Sequence, residues 1–320
     1  QGIGQDWIAS VTSHEMFHAF NVKRMRPAEM VPYRYDAPQP TPWLWVSEGI
    51  TDYYADLALV RGGIVDSTGW RDFTLEKLNT VASVPAVALE DASLTTWIHP
   101  TDGTGYVYYP KGALAGLMLD ILIRDASDNR ASLDEVMRRL YATVFGAGRG
   151  FTASDWWGAV TQAAGGRSFE DFAARFIDGR DPYPWDRLLP LAGMRLVTDS
   201  ILEPRVGVST STDTSGTLVL EVVPGSMADG AGVQVGDHLL RIGEVDASSD
   251  DFGARYRERY AVTAEGTPIP VVVRRNNREL VLAGRFQMAL RVVQGLEFDP
   301  AAPPKAARIR AGLLRGTVDR

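Results

Sequence analysis

Two histidines four residues apart with a glutamate beside the first, His14-Glu15-Met16-Phe17-His18, are the residues of this 320-residue chain best suited to chemistry. On a helix, positions i and i+4 share a face, so both imidazoles can reach one metal ion while Glu15 lies next to them without being a ligand. Thirty residues after His18 stands Glu48, in Trp45-Val46-Ser47-Glu48-Gly49, a carboxylate able to complete a His-His-Glu set. Catalytic zinc takes three protein ligands and keeps a fourth position open, with histidine nitrogens at about 2.0–2.1 Å. A water at that position would be acidified toward a pKa of about 7, and Glu15 could take its proton and pass it to a leaving amine. Metal-assisted amide hydrolysis is the chemistry expected. The competing reading of Glu48 is a helix-start carboxylate favoured by the helix dipole. His99 and His238 have no partner at ligand spacing and read as surface or loop residues.

The elements around these residues must position them. From Trp7 to Phe20 the apolar residues Trp7, Ile8, Val11, Phe17 and Phe20 recur at mostly helical spacing, with no proline or glycine between them. A second periodic stretch, Ile50, Tyr53, Tyr54, Leu57, Ala58 and Val60, places Glu48 at the start of another helix, so two helices can face one ion. Between them Pro27, Pro32, Pro38, Pro40 and Pro42 predict an extended wrap. Further helices are expected over 69–80, 111–124, 132–145, 152–164 and 168–177, with Ser132 and Ser168 as hydroxyl caps before acidic first turns. After Leu191 the pattern changes to alternating runs such as 217–223 and 269–273 with glycine-rich turns, which sets a boundary near residue 190.

Composition bounds what such a site can serve. The chain is 45% hydrophobic and 23% charged, as in a globular protein with a sizeable core. A net charge of −7 without a long Lys/Arg run argues against nucleic acid as a partner. There is no cysteine, so any metal must be held by His and carboxylate. The longest apolar stretch, Ala113 to Ile123, is too short for a membrane span and reads as a buried helix. The compartment, bacterial cytoplasm or periplasm, stays open. The first residues, Gln1-Gly2-Ile3-Gly4, run almost directly into the histidine helix, as expected of a domain truncated at its amino end.

The run His14 to Arg24, followed by Leu44-Trp45-Val46-Ser47-Glu48-Gly49 and Tyr53-Tyr54, resembles the glycyl aminopeptidase family of zinc metallopeptidases. These are gluzincins, relatives of thermolysin and aminopeptidase N. The resemblance implies His14, His18 and Glu48 as zinc ligands, Glu15 as catalytic base, and release of small amino-terminal residues such as glycine. Tyr109-Pro110-Lys111-Gly112 resembles the Tyr-x-Lys-Gly segment whose tyrosine stabilises the oxyanion in aminopeptidase N relatives, which implies that role for Tyr109. Tyr106 and Tyr108 are neighbouring candidates, and a tyrosine packed at the edge of a buried helix is the non-catalytic reading. Asp52, one turn beyond Glu48, is placed to orient a ligating histidine through its second nitrogen, unless it is simply an exposed helix aspartate. Family members carry an upstream β-rich domain and a Gly-Gly-x-Glu-type segment ahead of the zinc helix; this sequence begins too late to include either, so a chain that binds zinc without turning over substrate is a further expectation.

Farther on, Arg205-Val206-Gly207-Val208, the strand from Leu218 to Val223, Pro224-Gly225-Ser226-Met227-Ala228 and Gly236-Asp237-His238-Leu239-Leu240 are similar to bacterial PDZ domains. Such modules bind an extended peptide by strand addition, and by position Val206, Gly207 and Val208 would form the carboxylate-binding loop. The expected architecture is α+β: a mainly helical, thermolysin-like lobe over 1–190, a β-rich PDZ domain over 195–288, and a solvated or docked tail over 289–320 with a short helix over 306–314. Expected partners are a peptide or protein substrate and a carboxy-terminal peptide at the PDZ half. The reading from another functional class is a peptide-binding adaptor with a structural or inactive metal site; an endopeptidase is a third.

Overall fold

A computed structural model describes residues 3–213, 215–249 and 251–319. Gln1, Gly2 and the side chain of Trp7, which figured in the expectations above, lie outside what is described. The chain divides into two units, residues 1–197 with 294–320, and residues 198–293. The architecture is α+β, helical in the first unit and sheet-rich in the second.

The first unit opens with α1 (Ile3–Phe17), and a π-type segment, Trp45–Ile50, runs directly into α2 (Thr51–Arg61). α3 (Ser67–Ala82) is capped by Asp66, whose carboxylate accepts from the backbone N–H groups of Thr68 and Gly69. α4 (Leu89–Thr95) follows. α5 (Tyr108–Ala126) contains the apolar run read as a buried helix and forms the axis of the unit, with Leu114, Leu117, Met118 and Ile121 buried along it. α6 (Leu133–Leu140), α7 (Ala153–Ala163), α8 (Glu170–Phe172) and α9 (Trp185–Leu188) complete the sequence, with π-type turns extending α6 and α8 over Tyr141–Phe145 and Ala173–Ile177.

Two expectations are corrected. The first helix was expected to reach Phe20, but it ends at Phe17, where i→i+3 bonds from Ala19 N to Met16 O (3.1 Å) and from Phe20 N to Phe17 O (2.9 Å) tighten the chain into turns. Of the apolar residues in this stretch Ile8, Val11 and Phe20 are exposed, whereas Phe17 stacks on Tyr54 with ring centroids 4.7 Å apart. Ser132 occupies the N-cap of α6 without its hydroxyl bonding there; Asp120 of α5 accepts the Leu133 N–H instead, at 2.9 Å. Thr152 does form a reciprocal capping box with Asp155 at the start of α7.

The chain enters the second unit along β1 (Met194–Pro204). There β2 (Val208–Asp213), β3 (Gly216–Val222), β4 (His238–Ile242), β5 (Val245–Asp246), β6 (Pro268–Arg275) and β7 (Arg278–Arg285) build one sheet in the order β2-β3-β4-β6-β7, with β5 on β4. α10 (Met227–Ala231) and α11 (Phe252–Tyr260) accompany it. The β6–β7 hairpin turns on Asn276 and Asn277, both at positive φ (53° and 61°), the geometry that matches strand twist in a two-residue turn. Val219, Leu239, Ile242, Val271, Val273, Tyr256 and Phe286 form its core. β8 (Met288–Phe298) pairs with β1, and α12 (Pro304–Arg315) buries Ile309 and Leu313 in the first unit. Within the expected tail, the short helix foreseen over 306–314 is thus present as α12, and residues 288–298 supply a strand.

Candidate metal centre

His14 lies near the end of α1 and His18 one residue past it, still joined to the helix by its N–H to His14 O at 3.2 Å. Glu48 lies within the π-type segment. A widened turn leaves backbone carbonyls poorly served, and these are taken up by side chains. Asn21 Nδ2 donates to Val46 O (2.7 Å) and Thr51 Oγ1 (3.0 Å), and the Thr51 hydroxyl donates to Ser47 O (2.7 Å). The backbone carbonyl of the same Asn21 faces His18 Nδ1 at 2.7 Å. One buried residue, through its side-chain amide and its backbone carbonyl, therefore ties the histidine turn to the glutamate segment.

The second tie is a crossing of glycines. A Cβ on Gly49 would lie 2.5 Å from Gly112 Cα, and one on Gly112 would lie 2.7 Å from Trp45 O. Backbone against backbone is possible only because neither residue has a side chain, and the crossing brings the first turn of α5 beside Glu48. Tyr109 consequently stands next to His14, with ring centroids 5.8 Å apart.

Among the described residues, His14, His18 and Glu48 are brought together with ligand atoms within 4.8 Å of one another. Nε2 of each histidine lies 3.2 Å from Glu48 Oε2. Donors about 2.0–2.1 Å from a tetrahedral ion stand about 3.3 Å apart, so this donor set fits zinc. Both Nδ1 atoms are already engaged, His14 with Asp52 Oδ1 at 3.2 Å and His18 with Asn21 O, which leaves both Nε2 atoms directed at the shared carboxylate. Asp52 also faces Lys77 Nζ at 3.6 Å, and Lys77 pairs with Asp56 at 2.8 Å. A chain of alternating charge thus runs from His14 through Asp52 and Lys77 to Asp56.

Electrostatics follow from that geometry. Burial works against a charged His14 ring, but the Asp52 and Glu48 carboxylates outweigh it and hold the imidazole up at about 9. For Glu48, burial favours the neutral acid, yet hydrogen bonds from His14 and His18 bring it down to about 2. Asp56 goes the other way: burial, with Asp52 nearby, raises it to about 6 against the pull of Lys77. The Tyr109 phenol is pushed upward, first by burial and then by the charge of Glu48, so it stays a donor. Glu15 is exposed on the helix beside the two rings. Tyr106 is exposed and Tyr108 is buried, so Tyr109 is the one of the three tyrosines in ring contact with a histidine of the cluster. His99 is an exposed turn residue, and His238 belongs to β4.

In the second unit Gly207 adopts φ +83°, and a Cβ there would lie 2.1 Å from Ser226 Cβ. The Val206 and Gly207 carbonyls accept from Ala228 N (3.0 Å) and Val223 N (2.8 Å), which shapes the loop just before β2, at one end of the sheet order. Asn21, Lys77 and Asp56 carry no motif that sequence reasoning could have singled out, although Asn21 falls inside the matched run.

The helical unit thus presents the two histidines of the HExxH run and, from a crossing segment, a carboxylate as third ligand candidate, with a tyrosine beside them. Residues 7–115 match the profile of the M61 glycyl aminopeptidase family, and the resemblance read from the motifs is borne out over that segment. The fold resembles that of an aminopeptidase N family protein from Idiomarina loihiensis, with a TM-score of 0.67 and 20% identity, covering 98% of this chain and 56% of that one. The chain thus spans little more than half the length of that relative. Two partial alignments are with the HtrA-type protease AlgW with decapeptide (25% identity, TM-score 0.25, 28% of this chain and 30% of that one) and with the HtrA3 PDZ domain bound to a phage-derived ligand (20%, 0.23, 29% and 92%). No curated protein matches the chain. No helix among the described residues is long and apolar enough to cross a membrane.

Proposed function

We propose that the chain is the catalytic portion of a zinc metallopeptidase that releases small residues such as glycine from the free amino end of a peptide. The convergence of His14 Nε2, His18 Nε2 and Glu48 Oε2 carries this reading. These three residues would hold the zinc, which when bound polarises a carbonyl and acidifies water. Asp52 and the Asn21 carbonyl keep the two rings oriented through Nδ1. Glu15, beside the rings on α1, accepts a proton and returns it to the leaving amine. Tyr109, kept protonated by burial and by Glu48, donates its O–H to the oxygen that gains charge as the scissile carbonyl is attacked. The amino-terminal specificity rests on the family match, because the donor set by itself supports only amide hydrolysis. In the second unit, the loop Val206-Gly207-Val208 at the start of β2 is proposed to receive a carboxy-terminal peptide that adds a strand to the sheet.

Elemental analysis of the purified protein beside its His14→Ala variant tests the metal site: one zinc per chain in the first and none in the second is expected. Turnover of glycyl-peptides, compared with the same peptides blocked at the amino end, tests the specificity. Equal cleavage of blocked peptides would identify an endopeptidase. Binding of carboxy-terminal peptides with no turnover, unaltered by Glu15→Gln, would identify an adaptor.

A further inference from the structure

We propose that a cavity behind the first turns of α5 binds a small carboxylate with an apolar body, its acid group held by Lys111. The cavity encloses about 410 Å³, within the range of small-molecule sites, and Leu78, Val81, Val87, Leu114 and Trp185 give it mostly apolar walls. Lys111 lines it and is only 6% exposed. Its Nζ donates to the Val87 carbonyl and stands 5.5 Å from the centre of the Tyr183 ring. Among the described residues no carboxylate pairs with it. An ammonium has three donors, and a buried cation without a counter-charge is costly, so the arrangement is one that an entering anion completes.

The other charged residues lining the cavity do not supply that counter-charge. Arg180 is a second cation, paired with Asp91 at 3.3 Å, and the Asp181 carboxylate is taken by Arg175 at 2.8 Å. Burial, reinforced by Arg180, lowers the Lys111 ammonium to about 8, which still leaves it charged at neutral pH. Walls and charge together select a carboxylate bearing a compact aliphatic group. Two sources share this chemistry: a free aliphatic acid and the carboxy end of an acylated amino acid.

Isothermal titration with octanoate and with N-acetylleucine distinguishes the sources, and methyl octanoate serves as the uncharged control. One saturable site per chain is expected, with the tighter of the two acids naming the source. Lys111→Met should weaken that acid at least tenfold and leave the ester unchanged. Ala86→Trp, at an exposed residue lining the cavity, should reduce binding of acid and ester alike without touching the core. Lack of saturable binding by both acids, or equal binding to the Lys111→Met variant, would overturn the assignment. Because a carboxylate can also ligate zinc, the titrations are repeated on His14→Ala, in which the Lys111-dependent binding should persist; that arm keeps the outcome independent of the metal reading.

Discussion

Lys77 and Lys111 are two largely buried lysines of the same helical unit with opposite surroundings. Lys77 lies between Asp52 and Asp56 under the histidine cluster, and those carboxylates hold its ammonium above the ordinary lysine range although burial alone would lower it. Lys111 has a backbone carbonyl and an aromatic face, and burial lowers it to about 8. Similar side chains in similarly low dielectric thus differ because one has counter-charges and the other has none. Charge that is paired in the folded state serves to orient a site, whereas unpaired charge is left available for a ligand.

The largest effect should come from the catalytic side of this contrast. Replacing Glu15 by Gln should lower peptide turnover by about 10²–10⁴-fold while zinc content stays at that of the native protein, since the role proposed for Glu15 is that of proton carrier and not of ligand. Loss of zinc along with activity would make it structural. Next, Lys77→Met leaves Asp52 and Asp56 without their shared cation. Zinc affinity, read by chelator competition, should fall about 10–100-fold, the usual result of disturbing the groups behind a ligand. Lys77→Arg should restore most of it; unchanged affinity in Lys77→Met would mean that the charge chain orients nothing.

Protons sharpen the same comparison. In the metal-free protein His14 is raised to about 9, so its ion pairs stabilise the fold fully below 6.5, and that contribution is lost as pH rises through about 9. Zinc needs the neutral ring, and Glu48, held down at about 2, is already ionised. His18 is raised as well, by its hydrogen bond to Glu48 against burial, so up to two protons leave on binding and zinc affinity should climb by about ten- to a hundredfold per pH unit above 6.5 and level off above about 9. A flat profile in competition titrations would place the proton elsewhere.

The smallest effect has the opposite sign. Lys111 is lowered in the folded state, so its buried charge costs stability below about 8, and the cost is relieved as pH rises toward 10.5. Lys111→Met should stabilise the ligand-free protein at pH 7 by about 1–2 kcal/mol, as replacement of poorly compensated buried charge often does. Lys77→Met should destabilise it. Denaturant melts of the two variants that moved in the same direction would erase the distinction between the two lysines.

Much of the candidate centre was legible before any coordinates, because the i,i+4 spacing of His14 and His18 and the signature around Glu48 are short-range patterns. Asp52 was legible for the same reason, one helical turn from Glu48. The groups that complete the arrangement were not. Asn21 acts through carbonyls exposed by a π-type turn, a backbone irregularity that periodicity does not announce. Ser132 has the composition of a cap, but Asp120, twelve residues earlier, does the capping because α5 packs beside the start of α6.

What the chain alone determined is therefore the chemistry on offer: two imidazoles and an acid at helical positions, no thiol to compete with them, and a change from helical to alternating pattern near residue 190. The tertiary structure decided which groups meet. Gly49 and Gly112 allow two backbones close enough to bring Tyr109 to His14, and packing gives Lys77 two carboxylates while leaving Lys111 none. Local spacing is set by covalent geometry, but burial and pairing arise between residues distant in sequence, and only the folded arrangement specifies them.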